Sequence, residues 1–203
     1  MSAELESLAE AAAACVRCPL SETRTTVVFG TGAPAADVMF VGEAPGFHED
    51  QQGEPFVGAA GKLLDQLLGE IGLRREEVYI ANVLKCRPPG NRDPRPEEIE
   101  ACKGYLRSQL ELIDPKVVVT LGNFATKLLL KRDVGITRLR GQVFPWWNRR
   151  LVPTFHPAAA LRGGERILGQ MREDFGLARQ VIDAVDPPPD ASVADGEQLG
   201  LFG

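Results

Sequence analysis

The chain has 203 residues, of which 44% are hydrophobic and 25% are charged, values typical of a globular domain and unlike those of a disordered chain. No stretch approaches the roughly 18 to 20 consecutive apolar residues of a membrane-spanning helix, and the acidic start MSAELESLAEAAAAC lacks the basic residues of a secretory signal. We therefore expect a cytoplasmic protein without membrane contact, whose four cysteines are free, catalytic or metal-bound.

The net charge of −5 is unevenly distributed. Residues 183–203 carry five acidic residues and no basic one, so the 23 acids and 23 bases of residues 1–182 balance. Between positions 85 and 96 only Asp93 opposes four basic residues, which are Lys85, Arg87, Arg92 and Arg95. This local density suits a loop that contacts phosphates, although a solvated loop explains the charge equally well.

Strand and helix patterns alternate along the chain. Apolar runs rich in β-branched residues predict buried strands over residues 37–42, 78–83, 116–122 and 151–156. Helical patterns cover residues 61–71, 96–113 and 123–130, the last with Asn123 as its N-cap, and a further helix covers about 164–185. The alternation predicts an α/β fold of three layers, α/β/α, around a central four-stranded, mostly parallel sheet.

Polar residues follow the ends of the predicted strands. Gly42 to Gly46, the segment from Asn82 to Arg92, Gly122-Asn123 and His156-Pro157 come directly after the four strands. Ligands of open parallel sheets bind beyond the carboxyl ends of the strands, so we expect these segments to form one site. Taken singly, His156 and Asn82 are as readily explained as hydrogen-bonded structural residues.

The cysteines form a spaced set. Cys15 and Cys18 make a CxxC pair, and Cys86 and Cys102 follow far along the chain. Four soft ligands in this arrangement favour a zinc ion or an iron–sulfur cluster, and the spacing alone does not choose between them. Buried free thiols and a redox CxxC are the alternatives, the second weakened because the pair follows an N-terminal helix and not a first strand.

Four strings resemble the family 4 uracil-DNA glycosylases, which carry a 4Fe–4S cluster. They are GEAPG (42–46), GEPFVGAAGKLLD (53–65), NVLKCRPPGNRDP (82–94) and HPAAALR (156–162). The resemblance implies an enzyme that flips uracil out of DNA and hydrolyses its N-glycosidic bond, leaving an abasic site and initiating base excision repair. It extends from about Cys15 to about Ile182.

The resemblance also implies roles for single residues. Phe56 matches the aromatic residue that stacks on the base, Asn82 the amide that reads it and His156 the donor that stabilises the departing uracil. Gly42, Glu43 and Ala44 belong to the uracil-binding segment. Ala44 stands where family 1 enzymes have a water-activating aspartate, so Asn91 is expected to position the water and Glu43 to assist it or to contact uracil.

DNA contacts and the cofactor follow from the same resemblance. The loop after His156 is expected to enter the duplex through Ala160 and Leu161, and phosphates are expected near Lys85, Arg87 and Arg162. Thymine exclusion is assigned to Glu49 or to the shape of the pocket. The expected ligands of the cluster, a structural and not a redox group, are Cys15, Cys18, Cys86 and Cys102.

The C-terminal segment predicts a separate function. Residues 1–185 are expected to form the glycosylase domain of a monomer, and residues 186–203 a disordered acidic tail. The end of the tail resembles the short peptide that docks on the bacterial replicative sliding clamp, with Gln198, Leu199, Leu201 and Phe202 as its contacts. A frayed terminus is the alternative.

Three other functions compete with glycosylase activity. A relative that forms a covalent adduct with DNA is disfavoured because no basic insertion follows the GEPFVG segment. A non-catalytic, zinc-stabilised DNA-binding module would not require Phe56, Asn82, Asn91 and His156 together. A nucleotide-binding protein is disfavoured because no glycine-rich phosphate loop is present.

Overall fold

The computed structural model describes residues 2–184. The predicted tail, with the proposed clamp contacts Gln198, Leu199, Leu201 and Phe202, lies outside the described residues. The boundary between domain and tail therefore stays a prediction. No helix within residues 2–184 is long and apolar enough to cross a membrane.

The centre of the fold is a parallel sheet. Its four central strands are β2 (Val38–Gly42), β3 (Tyr79–Asn82), β4 (Val117–Leu121) and β6 (Arg149–Thr154), and two short antiparallel edge strands are β1 (Thr31–Gly32) and β5 (Phe144–Trp146). The strand order is β1-β3-β2-β4-β6-β5. The α/β class is confirmed, but the predicted number of four strands is wrong. Strands of two and three residues, one containing Pro145, are too short to give a strand pattern in the sequence.

Nine α-helices are present among residues 2–184. They are α1 (Ala3–Ala13), α2 (Leu20–Thr23), α3 (Phe47–Gln52), α4 (Ala59–Glu70), α5 (Pro96–Ile113), α6 (Asn123–Leu130), α7 (Ile136–Leu139), α8 (Pro157–Gly163) and α9 (Glu165–Ala184). The four longest predicted patterns correspond to α4, α5, α6 and α9. The prediction that Asn123 caps α6 is wrong: Gly122 is the N-cap, with a φ of 98°, and Asn123 Oδ1 accepts a hydrogen bond from Ile136 N at 3.1 Å.

The side chains of each strand alternate between two cores. Met39 and Val41 of β2 pack with α1, α5 and α6, whereas Val38 and Phe40 pack with α4 and α9. All four side chains are 2% exposed or less, and burying such a side chain contributes about 1.5–3 kcal/mol. Helices thus cover both faces of the sheet, in the predicted three layers.

The strand order also determines where a ligand site can form on the sheet. The chain passes from β2 to β3 on one side and later to β4 on the other side of β2. Connections that diverge in this way leave a crevice at the carboxyl ends of the diverging strands. The segment from Gly42 to Gly46 therefore faces Gly122 and Asn123 across an open groove.

Candidate active site

A cleft of about 960 Å³ opens at the carboxyl ends of the central strands. It brings together side chains from segments that are far apart in the sequence. The predicted site residues among its lining are Glu43, Ala44, Phe56, Asn82, Asn91, His156 and Arg162. A concave site with a few convergent polar groups on apolar walls is typical of small-ligand recognition.

Phe56 forms an aromatic wall of the cleft. Its ring lies 5.5 Å from the His156 ring, centroid to centroid, with 29° between the planes. Its φ of 54° is unusual for a bulky residue and indicates that the surrounding structure holds it in place. The first turn of α4 packs directly on it, since a Cβ at Gly61 would lie 1.7 Å from the Phe56 carbonyl oxygen.

Glu49 fixes the loop on the other side of Phe56. Its Oε1 accepts hydrogen bonds from Val57 N at 3.0 Å and from Gly58 N at 3.2 Å. Glu49 also lines the cleft. These hydrogen bonds hold the segment that directly follows Phe56. The thymine exclusion suggested for Glu49 stays a prediction.

Asn82 presents an unused acceptor to the cleft. The residue is 2% exposed, and its Oδ1 has no hydrogen-bond partner among the described residues. Buried polar atoms are almost always hydrogen-bonded, so an orphaned one in a cleft points to a ligand. A donor such as an imide N–H fits this position.

Gly42 makes room for that amide. A Cβ added there would lie 2.3 Å from Asn82 Oδ1 and 2.8 Å from Phe56 Cζ. At distances this short the amide and the ring would have to move, so glycine allows both to approach the end of β2. Gly42 lies next to the Asn82 amide and the Phe56 ring, and it contributes the space that a larger residue would fill.

His156 is held as a neutral imidazole. It precedes α8, and its Nδ1 accepts a hydrogen bond from Ala158 N at 3.1 Å. Its pKa is lowered to about 4, mainly by burial and also by the charge of Arg162, while Glu49 opposes the shift. Because Nδ1 is the acceptor, the single proton of the neutral ring is on Nε2, which is then a donor.

Glu43 and Asp93 form a carboxyl pair in the cleft. Burial raises the pKa of Glu43, and the nearby charge of Asp93 raises it further. Both residues line the cleft, with Ala44 beside them. The sequence analysis counted Asp93 only as a charge in a basic loop and missed it as a site residue.

Asn91 lies on a fixed turn at the mouth of the cleft. Gly90 and Asn91 have φ values of 64° and 54°, and Arg87 Nε donates to Asn91 Oδ1 at 2.7 Å. The Arg87 guanidinium also stacks over the exposed Phe47 ring, 5.1 Å from its centroid. The loop continues to Arg92, which forms a two-pronged hydrogen bond with the buried Glu98 carboxylate.

Two of the predicted DNA contacts do not agree with this structure. Lys85 is 1% exposed and its Nζ is hydrogen-bonded inside the protein, so it does not reach a phosphate. Ala160 is 5% exposed and packs in the core, because the segment after His156 is the helix α8 and not the expected loop. Leu161, in contrast, is 54% exposed beside Arg162 of the cleft.

Lys127 is a second cleft residue that the sequence analysis missed. It lies on α6, lines the cleft and forms an ion pair with Asp133 at 2.5 Å. No sequence motif surrounds Lys127, and it is far along the chain from most of the other site residues. The sequence alone therefore did not indicate a role in the site.

The four cysteines line one small cavity and none is in a disulfide. Three N–H donors point at their sulfurs: Arg17 Nε to Cys15 at 3.4 Å, Lys85 N to Cys102 at 3.3 Å and Arg24 Nη1 to Cys86 at 3.5 Å. Hydrogen bonds of this kind tune cysteine-bound clusters. Burial raises the pKa of the Cys86 thiol to about 11 and also raises that of Cys102.

Four cysteine sulfurs around one cavity are a donor set that fits an iron–sulfur cluster. Within residues 2–184, no group of three or more His, Cys, Asp or Glu side chains is arranged to hold a metal ion. A zinc ion requires all its sulfur ligands about 2.3 Å from one point. In a 4Fe–4S cluster each cysteine binds a different iron atom, so the sulfurs stand farther apart around a common cavity.

The comparison with known proteins agrees with the geometry. Residues 29–179 match the model of the Uracil DNA glycosylase superfamily. The type-4 uracil-DNA glycosylase of Archaeoglobus fulgidus is 47% identical over 179 residues, which cover 84% of this chain and 87% of the relative. The chain belongs to the type-4 uracil-DNA glycosylase family. The type-4 enzymes of Sulfurisphaera tokodaii and Thermotoga maritima are 46% and 45% identical, with 87% and 88% of this chain and 84% and 94% of the relatives covered.

Membership in the type-4 family confirms the resemblance carried by the four strings. The roles of single residues are not decided by membership alone, and they rest on the contacts described above.

Proposed function

We propose that the chain removes uracil from DNA by hydrolysing the N-glycosidic bond, leaving an abasic site and so beginning base excision repair. The observation that carries the proposal is the buried Asn82 amide, whose Oδ1 has no partner among the described residues, in one cleft with a neutral His156. The names of the type-4 relatives support the same reaction.

Uracil recognition is assigned to Phe56 and Asn82. A base inside a duplex is out of reach of the cleft, so the nucleotide must be flipped out of the helix and stacked on an aromatic ring. The Asn82 Oδ1 accepts the imide N–H of uracil while the amide NH₂ donates to a uracil carbonyl. Cytosine presents the opposite pattern at this edge and would leave buried groups unpaired, at about 1–3 kcal/mol for each group.

His156 stabilises the departing uracil. As the glycosidic bond breaks, negative charge develops on the base and positive charge on the sugar. A neutral imidazole with its proton on Nε2 donates to that charge without losing a proton, and Ala158 N holds the ring in orientation. Removal of a single donor of this kind costs about 10²- to 10³-fold in rate.

Asn91 and Glu43 are assigned to the attacking water. Asn91 is fixed by its turn and by Arg87, so its side chain is suited to hold a water in place. Glu43 supplies a carboxylate acceptor when it is ionised, and burial together with the charge of Asp93 raises its pKa. Ala44 lines the same region and has no group for this role.

DNA binding is assigned to the rim of the cleft. Arg162 lines the cleft and Arg87 contacts Asn91 at its mouth, and Leu161 is an exposed apolar side chain on α8 that is suited to enter the duplex. Lys85 and Ala160 are not retained in this group because both are buried.

The four cysteines are assigned to a 4Fe–4S cluster with a structural role. Cys15, Cys18, Cys86 and Cys102 would each bind one iron atom, and the cluster would supply cross-links between distant segments and not a redox step. Cys86 lies four residues after Asn82 and five before Asn91. Its anchoring would therefore preorganise the segment that carries both residues.

A cleavage assay tests the proposed function. Wild-type protein, checked for iron and sulfide, is incubated with oligonucleotides that contain uracil, cytosine or thymine at one position, and abasic sites are revealed with alkali. We expect cleavage at uracil alone, and a 5- to 150-fold lower kcat/KM for Asn82→Ala from the loss of base recognition. No cleavage by folded, iron-loaded protein would contradict the proposal, and a stable protein–DNA adduct would favour the adduct-forming alternative.

The clamp-binding tail, the monomeric state and the cytoplasmic location remain proposals. Clamp binding depends on residues outside the part that the structure describes, and nothing above bears on it. Copurification of a clamp protein with the full chain, and its loss on removal of residues 198–203, is the corresponding measurement.

A further inference from the structure

Lys85 is a buried cation that the proposed reaction does not use. The residue is 1% exposed, and Nζ donates to the Asn82 carbonyl oxygen at 2.8 Å and to Gln109 Oε1 at 2.6 Å. Both acceptors are neutral. Burial of a charge is costly unless the charge is paired, so a lysine in this position indicates an anionic partner nearby.

The position of Gln109 is fixed independently of Lys85. Its Nε2 donates to the Phe29 carbonyl oxygen at 2.8 Å and to the Tyr79 hydroxyl at 3.2 Å. The amide therefore turns its oxygen toward Lys85. This network holds the ammonium at one point between the end of β3 and α5.

The ionisable groups next to this point are cysteines. Lys85 lines the cavity that all four cysteines share, and its backbone N–H donates to Cys102 Sγ at 3.3 Å. Cys86 is its neighbour in the chain, and Cys86 and Cys102 are the groups whose charge acts on the ammonium. Four thiolates carry more negative charge than the iron–sulfur core carries positive charge, so a cluster held here would be anionic.

We propose that Lys85 is a positioning residue that joins the cysteine site to the uracil-reading site. Its ammonium is the counter-charge of the anionic iron–sulfur group on the four cysteines, and its hydrogen bond to the Asn82 carbonyl fixes the strand end that presents the amide. The inference rests on the proposed function and adds to it the physical link by which the cluster supports base recognition.

Two substitutions of Lys85 separate the charge from the hydrogen bond. Lys85→Met removes both, and Lys85→Gln removes the charge but keeps a neutral N–H donor. Tyr79→Phe is the matched control, because it removes a hydrogen bond from the far side of Gln109 and leaves Lys85 in place. The reduction potential of the cluster is measured by voltammetry of the loaded proteins, and kcat/KM is measured on a single-stranded uracil oligonucleotide.

The two readouts have distinct expected results. Loss of a nearby positive charge disfavours addition of an electron, so the potential becomes more negative in both Lys85 variants and does not change in Tyr79→Phe. We expect kcat/KM to fall at least 10-fold in Lys85→Met and less in Lys85→Gln. Lys85→Gln alone decides the charge role if Lys85→Met does not fold.

Failure of this inference is distinguishable from failure of the proposed function. An active wild type with an unchanged potential in Lys85→Gln overturns the counter-charge role, and so does an equal shift in Tyr79→Phe. A wild type that carries iron and sulfide but does not cleave uracil-containing DNA contradicts the proposed function instead.

Discussion

Three residues of the cleft have a backbone conformation, a hydrogen-bonding state or a protonation state that is unusual for their residue type. Phe56 has a positive φ, Asn82 has a buried acceptor without a partner among the described residues, and burial lowers the pKa of His156 to about 4. Such local costs persist only where surrounding packing imposes them, and they concentrate at sites that bind a ligand. Under the proposed function, a flipped base would donate to the Asn82 acceptor and accept a hydrogen bond from the neutral His156.

The pH dependence of catalysis follows from His156. Because its folded-state pKa is about 4, the imidazole is neutral throughout the range in which an ordinary histidine titrates, near 6.5. We expect the single-turnover rate to show no step between pH 6 and 7 and to fall only at more acidic pH. Glu43→Gln removes the contribution of that carboxyl to the profile, and a step near pH 6.5 in this variant would contradict the assignment.

The requirement for glycine at position 42 is testable against a matched glycine. Gly42→Ala brings a Cβ within 2.3 Å of Asn82 Oδ1, so we expect at least a 10-fold loss of kcat/KM from displacement of the amide. Gly69→Ala in α4 meets no atom within 4 Å, and we expect unchanged activity with about 0.5–1 kcal/mol of added stability. Steady-state kinetics and urea unfolding measure both, and full activity in Gly42→Ala would disprove the steric role.

At the scale of elements, the residues proposed for catalysis lie at strand ends and in the segments that follow them. The strand-end segments were predicted correctly because long apolar runs mark the strands and helical periodicity marks the helices between them. The short helices α3 and α8 were not predicted, since six or seven residues give no periodic pattern. Because α8 was not predicted, Ala160 was wrongly expected to be exposed and to enter the duplex. In the helix its side chain is buried.

The duplex-entering role proposed for Leu161 of α8 has a control on α5. Leu161 is 54% exposed, and Leu112 on α5 is 36% exposed and does not line the cleft. We expect Leu161→Ala to slow cleavage of duplex uracil DNA at least 5-fold more than cleavage of single strands, because only a duplex must be held open. Leu112→Ala should leave both rates unchanged. An equal effect of Leu161→Ala on the two substrates would remove it from this role.

At the scale of the whole molecule, the sequence indicates which residues are chemically suited to a site but not which of them face it. The strand-end rule located the cleft because it depends on topology alone. Lys85 was assigned to phosphates from local charge density, and its burial depends on Gln109, which is 24 residues away in the chain. Asp93 and Lys127 were missed for the same reason, since their approach to the cleft is a property of tertiary structure.

The cysteine site joins distant parts of the molecule, so removal of the proposed cluster is expected to destabilise the whole fold. Cys15 and Cys18 follow α1, whereas Cys86 and Cys102 belong to the site loop and to α5. We expect treatment with a chelator and an oxidant to lower the melting temperature and abolish cleavage together, with restoration on reloading of iron and sulfide. Melting by circular dichroism and an activity assay on one sample measure this. Full activity of the iron-free protein would contradict the structural role.

The most direct test of the site is the dependence of His156→Ala on the leaving group. Single-turnover rates are measured for wild type and variant on oligonucleotides with uracil or 5-fluorouracil, alongside DNA affinity. Fluorine stabilises the departing anion, so a donor to that anion matters less. We predict that the variant loses about 10²- to 10³-fold on uracil, distinctly less on 5-fluorouracil, and little DNA affinity. An equal loss on both bases, or a matching loss of affinity, would contradict the role of His156 in stabilising the departing base.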